Sequence, residues 1–356
     1  MTEPPICLVV RRFTIGGLER VVSLLANGLV TRGRTVRVVV LESTALSALI
    51  TELHQRVEVH VLTGSRAARL ARLRELTAGH VVHLHFADGL VHPAVRWALR
   101  ANDKMFVTYH SDYTPVRNGL RNRLDRWITS RGRGAIAVSE AVRRFCLDEV
   151  GLPGHLVHVI ENAVPAPAAS PVRIAGTGFT LIALATVNPH KNYPGLLRGV
   201  ALLRDRGHDV RLRIVGDGPA LAEAFTEAGR LNLAECVDWY GALWQSSIVN
   251  ALLASSDVFV SASRNEGLPM SVLEGLQHGL PMVLSDIPPH REAAGGAARY
   301  FDPDDPEGFA DQVEQMRTDS VRREHAEQAG KQAQRFSVDE FVTRHLDLYT
   351  TASGPR

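Results

Sequence analysis

The sequence predicts an α/β protein built from two doubly wound, Rossmann-like domains with parallel sheets. Short apolar runs that suit buried strands alternate with amphipathic runs that suit helices, and the alternation occurs twice along the 356 residues. Such alternation is typical of parallel sheets covered by helices on both faces. A chain of this length also exceeds one ordinary hydrophobic core, which favours two domains.

The first half carries seven strand candidates, with helical patterns between most of them. They are residues 6–11, 35–41, 57–62, 81–84, 105–109, 135–138 and 156–160. The rhythm then stops in AVPAPAASPVRIAGTG, residues 163–178, which is rich in Pro, Ala and Gly and reads as a linker. The first domain is therefore expected to span residues 1–164.

The second half repeats the alternation over residues 165–335. Its strand candidates are residues 179–185, 210–215, 236–239, 258–261 and 282–284. Its helix candidates are residues 195–206, 220–231, 248–254 and 271–277, followed by a long pattern over 306–334 that can break near Asp319. A last helix, within residues 336–356, closes the chain.

Composition narrows the class of protein. Apolar residues make up 45% and charged residues 22%, as in a globular protein with a full core. A formal net charge of +2 is too small to indicate a nucleic-acid partner. Three scattered cysteines indicate neither a disulfide framework nor a metal site. The N-terminus lacks the pattern of a secretory signal, and no apolar run reaches membrane-spanning length. A cytoplasmic protein is expected.

The most informative stretch is SRNEGLPMSVLEGLQHGLPMVLSD, which contains Glu266 and Glu274. An apolar strand candidate precedes Glu266, which places this carboxylate in a loop at a strand end. Glu274 is expected in the first turn of the next helix. Between them, the N–H groups of Met270, Ser271 and Val272 would point out of the helix start, where anions bind. A structural interpretation competes, since Ser271-x-x-Glu274 also fits a capping box.

Three further turns follow strand candidates. Gly16 and Gly17 join the first strand to its helix and would let a ligand approach the backbone, although a plain tight turn is the alternative. His110 follows the strand 105–109 and could bond a sugar hydroxyl, or could be a surface histidine. Gly216 lies in the turn GDGP after the strand 210–215.

Lys191 lies in VNPHKN, directly after the first strand of the second half, together with Asn188. The chain holds 40 Lys and Arg residues, and only Lys104, Lys191 and Lys331 are lysines. A lysine is a compact point charge that suits a single phosphate oxygen. Lys191 is therefore a candidate phosphate ligand.

Two other patterns have weaker functional interpretations. His83 and His85 would share one face of a strand, but no third ligand has zinc-site spacing, so no metal is expected. The stretch from Arg117 to Arg133 carries six arginines and one acid, Asp125. It could touch an anionic membrane weakly, or it could be a solvated helix face.

These motifs, in this order, resemble the retaining glycosyltransferases of family 4, which have the GT-B fold. The glutamate stretch is similar to that family's E-x7-E region. Further similar motifs are the Gly16–Gly17 loop, VVHLH, VTYH, AVSEAV, VIENAV, PHKN and VGDGP. The resemblance covers nearly the whole chain and implies two facing domains with a cleft between them. It assigns 1–164 to the acceptor side, 165–335 to the nucleotide sugar, and 336–356 to a helix that crosses back to the first domain.

The resemblance also implies roles for residues. Glu266, Lys191 and His110 would be catalytic, through contacts with the donor sugar, the leaving diphosphate and the donor sugar respectively. Glu274 would hold the donor ribose. The remaining donor-binding residues would be Gly16, Gly17, Asn188, Gly216, Leu268, Pro269, Met270 and Ser271. Such enzymes generally need no metal or other cofactor, since cations of the protein and helix ends stabilise the departing diphosphate.

One departure from the family pattern stands out. Members commonly carry Gly-Arg near the strand end before the lysine, and here the matching positions are Ala185-Thr186. The leading hypothesis is a cytoplasmic retaining hexosyltransferase, peripheral at the inner membrane face, that uses UDP in preference to GDP and an acceptor hydroxyl. The missing arginine keeps open a non-catalytic nucleotide-sugar-binding homologue. An epimerase or a phosphorylase on a related two-domain fold is a third hypothesis.

Overall fold

The computed structural model describes residues 3–14, 16–42, 48–86, 93–112, 119–167, 178–243 and 245–351. These residues form two compact units. Unit 1 comprises Met1–Ala163 and Val338–Arg356, and unit 2 comprises Val164–Ser337.

Unit 1 is a seven-stranded parallel sheet with helices. Its strands are β1 (Ile6–Val10), β2 (Val36–Val40), β3 (Glu58–Val61), β4 (Val81–Phe86), β5 (Met105–Tyr109), β6 (Gly134–Ala137) and β7 (Val157–Val159). Its helices before the chain leaves the unit are α1 (Gly17–Thr31), α2 (Arg66–Thr77), α3 (Pro93–Ala98), α4 (Gly119–Thr129) and α5 (Glu140–Asp148). The strand order is β3-β2-β1-β4-β5-β6-β7. β1 and β5 are buried at every position, as the apolar runs predict.

Unit 2 is a six-stranded parallel sheet. Its strands are β8 (Phe179–Leu184), β9 (Val210–Val215), β10 (Val237–Gly241), β11 (Val258–Ser261), β12 (Met282–Ser285) and β13 (Ala298–Phe301). Its helices are α6 (Tyr193–Asp205), α7 (Leu221–Arg230), α8 (Ser246–Ala254), α9 (Met270–Gln277), α10 (Pro288–Ala294), α11 (Pro306–Met316) and α12 (Asp319–Ala333). The strand order is β10-β9-β8-β11-β12-β13.

The predicted elements are confirmed with two omissions. The sequence did not predict α10 or β13, because both are short and lie between prolines and glycines that favour turns. The break predicted near Asp319 is present, since α11 ends at Met316 and α12 begins at Asp319. The predicted linker 163–178 lies largely outside the described residues, which resume at Gly178.

The last helix, α13 (Val338–Thr351), packs within unit 1. A side chain at Gly28 of α1 would meet Val342, so the glycine lets the two helices approach closely. Arg32 forms an ion pair with Asp339. Arg344 donates a hydrogen bond of 2.6 Å to the carbonyl of Val159 at the end of β7. The C-terminal residues thereby complete the unit that the N-terminal residues begin.

Each sheet has a switch point, where successive strands are added on opposite sides. In unit 1 it lies between β1 and β4, and in unit 2 between β8 and β11. Ligands of open α/β sheets bind beside such points, outside the carboxyl ends of the strands. The loops after β1, β4, β8 and β11 are therefore the first places to look for a functional site. Within the described residues, none of the helices is both long and apolar enough to cross a membrane.

Candidate active site

The centre of the candidate site is an ion pair at the switch point of unit 2. Lys191 ends the short 3-10 turn Pro189–Lys191 after β8, and Glu266 lies in the loop after β11. The ammonium of Lys191 donates to Oε1 of Glu266. A backbone hydrogen bond of 2.8 Å from Arg264 N–H to the carbonyl of His190 also joins the two loops. Two segments that are distant in sequence thus meet at the predicted edge.

Local structure holds Lys191 in this place. Asn192 has φ of 53°, a left-handed conformation that asparagine adopts more readily than most residues. Its side chain caps α6 by accepting a hydrogen bond from Gly195 N–H at 3.3 Å, and it donates to the carbonyl of Pro303 at 2.7 Å. Because Asn192 is buried and bonded on both sides, the position of the preceding lysine is fixed.

The ion pair is largely withdrawn from solvent. The side chains of Lys191 and Glu266 are 14% and 9% exposed. Burial alone would raise the pKa of Glu266, but the charge of Lys191, with smaller effects of His290 and of a hydrogen bond from Ser263, holds that pKa below its usual range. Glu266 is therefore an ionised carboxylate that pairs with the Lys191 ammonium.

His290 and Tyr193 surround this pair and were not predicted. His290 is completely buried, and its Nδ1 lies 2.9 Å from the carbonyl oxygen of Ser285. Burial is the main cause that lowers the pKa of His290 and raises that of Tyr193, and both groups interact electrostatically with Glu266. Among the described residues, His290 Nε2 and the Tyr193 hydroxyl are buried without a hydrogen-bond partner. Buried polar atoms of this kind commonly bond water or a ligand.

The helix after Glu266 differs from the prediction in its first turn. α9 begins at Met270 with Pro269 as its N-cap residue, and no side chain caps it, so the predicted capping box of Ser271 and Glu274 is wrong. Proline at the N-cap places Ser271 inside the helix, too late to cap it. Glu274 consequently lies in the second turn and is buried.

The anion cradle expected at this helix start is also smaller than predicted. The N–H of Val272 donates to the carbonyl of Pro269 at 3.0 Å. The N–H groups of Met270 and Ser271 remain at the first turn of α9, behind the loop of Leu268 and Pro269, which is buried. The Leu268 side chain is buried, at 4% exposed.

The turn after β9 provides a close backbone approach in the same unit. Gly216 has φ of 147°, and a Cβ atom there would lie 1.8 Å from the carbonyl oxygen of Ala185. The backbone after β9 therefore packs directly against the backbone after β8. Asn188 precedes Lys191 in that second loop, and its N–H donates to the carbonyl of Thr186 at 2.8 Å. Thr186, which occupies the position of the family arginine, is exposed.

The other predicted site residues lie in unit 1. Gly16 is the N-cap residue of α1 in an extended conformation, and Gly17 is the first helical residue. The carboxylate of Glu19 lies beside this turn and accepts a hydrogen bond of 3.1 Å from the Thr14 hydroxyl. Burial raises the pKa of Glu19. The turn is thus bounded by a buried acid.

His110, at the end of β5, is held by other histidines. Its Nε2 lies 3.2 Å from Nδ1 of His85 on β4, so it is not the isolated surface histidine of the alternative interpretation. Burial lowers the pKa of His110 to about 3 and keeps the ring neutral. His83, beside His85 on β4, bonds the Tyr349 hydroxyl of α13 at 2.5 Å and Thr108 at 2.6 Å. Within the described ranges, no group of three or more His, Cys, Asp or Glu side chains is placed to hold a metal ion.

Comparison with known proteins agrees with this geometry. The family model of "Glycosyltransferase Family 4" matches residues 15–166, and that of "Glycosyl transferases group 1" matches residues 169–336. The chain is a glycosyltransferase with the GT-B fold. The two models meet close to the boundary between the two units of the structure.

Individual relatives have low sequence identity to this glycosyltransferase, but they align with most of its length. It is 28% identical over 376 residues to the GDP-mannose:cellobiosyl-diphosphopolyprenol alpha-mannosyltransferase of Xanthomonas oryzae pv. oryzae, covering 97% of this chain and 96% of the relative. It is 27% identical over 301 residues to the D-rhamnosyltransferase WbpZ of Pseudomonas aeruginosa, covering 77% of this chain and 74% of WbpZ.

Solved structures show the same fold. The structure of Anabaena HepE in complex with UDP and glucose superposes with a TM-score of 0.84 at 17% identity, covering 98% of this chain and 100% of HepE. Sucrose-phosphate synthase from Thermosynechococcus elongatus superposes with a TM-score of 0.82 at 15% identity, covering 98% and 99%.

Proposed function

We propose that this glycosyltransferase moves a hexose from a nucleoside diphosphate to an acceptor hydroxyl with retention of anomeric configuration, in the synthesis of a glycan, glycolipid or glycosylated natural product. The observation that carries the proposal is the buried Lys191–Glu266 ion pair at the switch point of unit 2. A cation and an anion at this place match the two ends of a sugar diphosphate. The diphosphate is an anion, and the sugar is a set of hydroxyl donors.

Each residue of the pair has a chemical role in this proposal. The Lys191 ammonium has three donors, so it can bond Glu266 and still stabilise the negative charge that develops on the leaving diphosphate. The carboxylate of Glu266 is an acceptor for sugar hydroxyl groups near the reacting carbon. Met270 and Ser271 would contribute N–H groups to the diphosphate, and Glu274 would hold the ribose.

The proposal includes no metal. Lys191 and the first turn of α9 supply positive charge and oriented N–H groups, by which proteins can stabilise departing phosphates without a metal ion. Transfer should therefore continue at an undiminished rate in excess EDTA. Loss of activity in EDTA, restored by Mg²⁺ or Mn²⁺, would refute this part of the proposal.

The nucleotide is proposed to be UDP, with GDP as the rival. HepE was solved with UDP, whereas the Xanthomonas relative is named for GDP-mannose. A thermal-shift series with UDP, GDP and their hexose conjugates separates the two. A ligand at one hundred times its Kd adds about 2.7 kcal/mol of stability, a readily measured shift. A larger shift with GDP conjugates would reverse the assignment.

Lys191→Ala and Glu266→Ala test the central assignment. The substrate is the nucleotide sugar that raises the melting temperature most. The assay measures release of the nucleoside diphosphate from it, with and without candidate acceptors. We expect both variants to lose kcat with a smaller change in KM, because each contact is made mainly in the transition state. Lys331→Ala and Glu324→Ala, which remove exposed charges on α12, are the matched controls. Turnover by the site variants at the rate of these controls would overturn the assignment.

A specific observation keeps the non-catalytic homologue in consideration. Thr186 is exposed directly after β8, where the family arginine would add a second cation. Donor binding without transfer across a broad acceptor panel would support that alternative. Conversion of the nucleotide sugar without an acceptor would indicate an epimerase, and phosphate-dependent glycan cleavage would indicate a phosphorylase.

A second partner is proposed for α4. Arg123, Leu124, Trp127 and Arg131 are exposed on this helix and just after it, and Arg131 lies 3.8 Å over the Trp127 ring. The acid of the segment, Asp125, is turned inward. Residues 117 and 118 of the predicted basic stretch lie outside the described residues. Exposed arginines beside exposed apolar side chains favour a weak contact with an anionic membrane.

Vesicle co-sedimentation tests this contact. The protein should bind phosphatidylglycerol-containing vesicles and not pure phosphatidylcholine vesicles, and Trp127→Ser should weaken that binding. Equal binding to both vesicles, or none to either, would refute it. A cytoplasmic enzyme peripheral at the inner membrane face follows from the proposal.

A further inference from the structure

Buried hydrogen bonds join α10 to the loop that carries the proposed sugar-binding carboxylate, Glu266. Nδ1 of His290 lies 2.9 Å from the carbonyl oxygen of Ser285 and 3.1 Å from the Ser285 hydroxyl. That hydroxyl donates to the carbonyl of Ser263 at 2.5 Å. The Ser263 hydroxyl lies 3.1 Å from the Ser261 hydroxyl, and Ser263 also contributes to the lowered pKa of the Glu266 carboxyl. His290, Ser285 and Ser263 are each at most 1% exposed.

The partners of His290 decide which ring nitrogen carries hydrogen. A carbonyl oxygen can only accept, so Nδ1 must donate to Ser285. The Ser285 hydroxyl has already used its hydrogen on Ser263 and is a second acceptor for the same N–H. Because burial keeps the ring neutral, Nε2 carries only a lone pair. The directions of the hydrogen bonds from His290 to Ser285 and from Ser285 to Ser263 are therefore fixed.

We propose that His290 is a positioning residue that sets the orientation of Glu266 through Ser285 and Ser263. Ser285 ends β12 and Ser263 follows β11, so the histidine of α10 clamps together the ends of two neighbouring strands. Glu266 lies three residues after Ser263 in the same loop. Fixing the position of a carboxylate that accepts a hydrogen bond from a sugar hydroxyl should raise the reaction rate, because a displacement of about 1 Å can lower that rate about 100-fold.

This inference deepens the proposed function and rests on it, so the test uses one readout that needs turnover and one that does not. The first readout compares His290→Asn with His290→Gln. The Asn amide nitrogen occupies roughly the place of Nδ1, whereas the Gln amide nitrogen occupies roughly that of Nε2. Only Asn can donate to Ser285 in the native manner.

We expect His290→Gln and His290→Leu to lower kcat by about 10- to 100-fold with little change in KM. His290→Asn should restore most of the loss. His325→Leu on α12 is the control, since it removes another histidine whose Nδ1 bonds a backbone carbonyl, at 2.9 Å. Equal activity of the Asn and Gln variants, or wild-type kcat in His290→Leu, would overturn the inference. If His290→Leu does not fold, the Asn and Gln pair still decides.

The second readout uses the ligand-free protein. Long-range ¹⁵N–¹H correlation spectra should show hydrogen on Nδ1 of His290, and a crystal structure of His290→Gln should show Glu266 turned from its wild-type rotamer. Hydrogen on Nε2, or an unmoved Glu266, would refute the positioning role. If the wild type turns over no nucleotide sugar, the proposed function is wrong. The spectra and the crystal structure still test the positioning role of His290, because neither needs turnover.

Discussion

Replacing Lys191 by methionine should destabilise the ligand-free protein strongly. Methionine keeps most of the length of the side chain and its apolar stem but removes the ammonium that pairs with Glu266. Glu266, with a side chain 9% exposed, would then be a buried carboxylate without its cation. Removing one partner of a buried ion pair costs about 3–5 kcal/mol. Because the lysine is 14% exposed, we expect the lower end, about 3 kcal/mol.

The effect should depend on pH in a defined direction. In the wild type the pKa of Glu266 is below the ordinary value of a glutamate, so its contribution to stability is present above that ordinary pKa and is lost as pH falls through the folded pKa. In Lys191→Met the main lowering influence is gone and burial raises the pKa. Ionised Glu266 then destabilises the variant near neutral pH, and protonation relieves it. The stability gap to the wild type should narrow as pH falls toward 4.

Thermal and urea denaturation of the full chain, followed by circular dichroism at pH 7.5 and pH 5, measure this gap. For a unit of this size, about 3 kcal/mol corresponds to a fall in Tm of roughly 6–12 °C. Lys191→Met/Glu266→Leu should recover part of the loss, because the uncompensated charge is absent. Lys331→Met is the exposed control. An unchanged Tm, or a gap that widens on acidification, would refute the argument that the pair is buried and coupled.

Two further substitutions test the fold around the sites. Gly216→Ala should destabilise unit 2 by more than about 1–3 kcal/mol, because it adds a clash with Ala185 to the strain of positive φ. The control Gly207→Ala, at a glycine with φ of 82° and open space around it, should cost only that strain, about 1–2 kcal/mol. Equal Tm values for the two variants would contradict this prediction. Arg96→Met should lower the free energy of unfolding, measured in urea, by about 3 kcal/mol, because it leaves Asp125 buried without the guanidinium that lies 3.0 Å away. A decrease below about 1 kcal/mol would show that the pair is solvated.

The fold could be predicted from local patterns because each strand is a short apolar run bounded by turn residues. β1 and β5 follow this rule closely. Strand order could not be predicted from those patterns alone, since an apolar run shows that a strand is buried but does not show which strands are its neighbours. The short β13 was missed because its run of Ala298–Phe301 carries Arg299, which lies at the edge of the sheet and bonds Gln312.

The sequence indicated some residues of the candidate site but not their arrangement. Lys191 and Glu266 each follow an apolar run, and this placed both at strand ends. Their direct bond depends on β8 and β11 being neighbours, which is a property of strand order. His290 carries no local signal, because a histidine after two prolines looks like part of a turn. Only its burial against Ser285 reveals it.

The exposed Thr186 changes the electrostatic demands on the rest of the site. The family resemblance implies an arginine where this chain has the Thr186 hydroxyl, so in the proposed function Lys191 would serve both the Glu266 carboxylate and the diphosphate. A lysine ammonium has three N–H donors, and a Glu266 carboxylate held in one place engages one of them and leaves the direction of the others defined for the diphosphate. The clamp from His290 through Ser285 and Ser263 supplies that restraint. The missing arginine and the buried histidine are thus linked: with less positive charge at the site, the geometry of the remaining cation matters more.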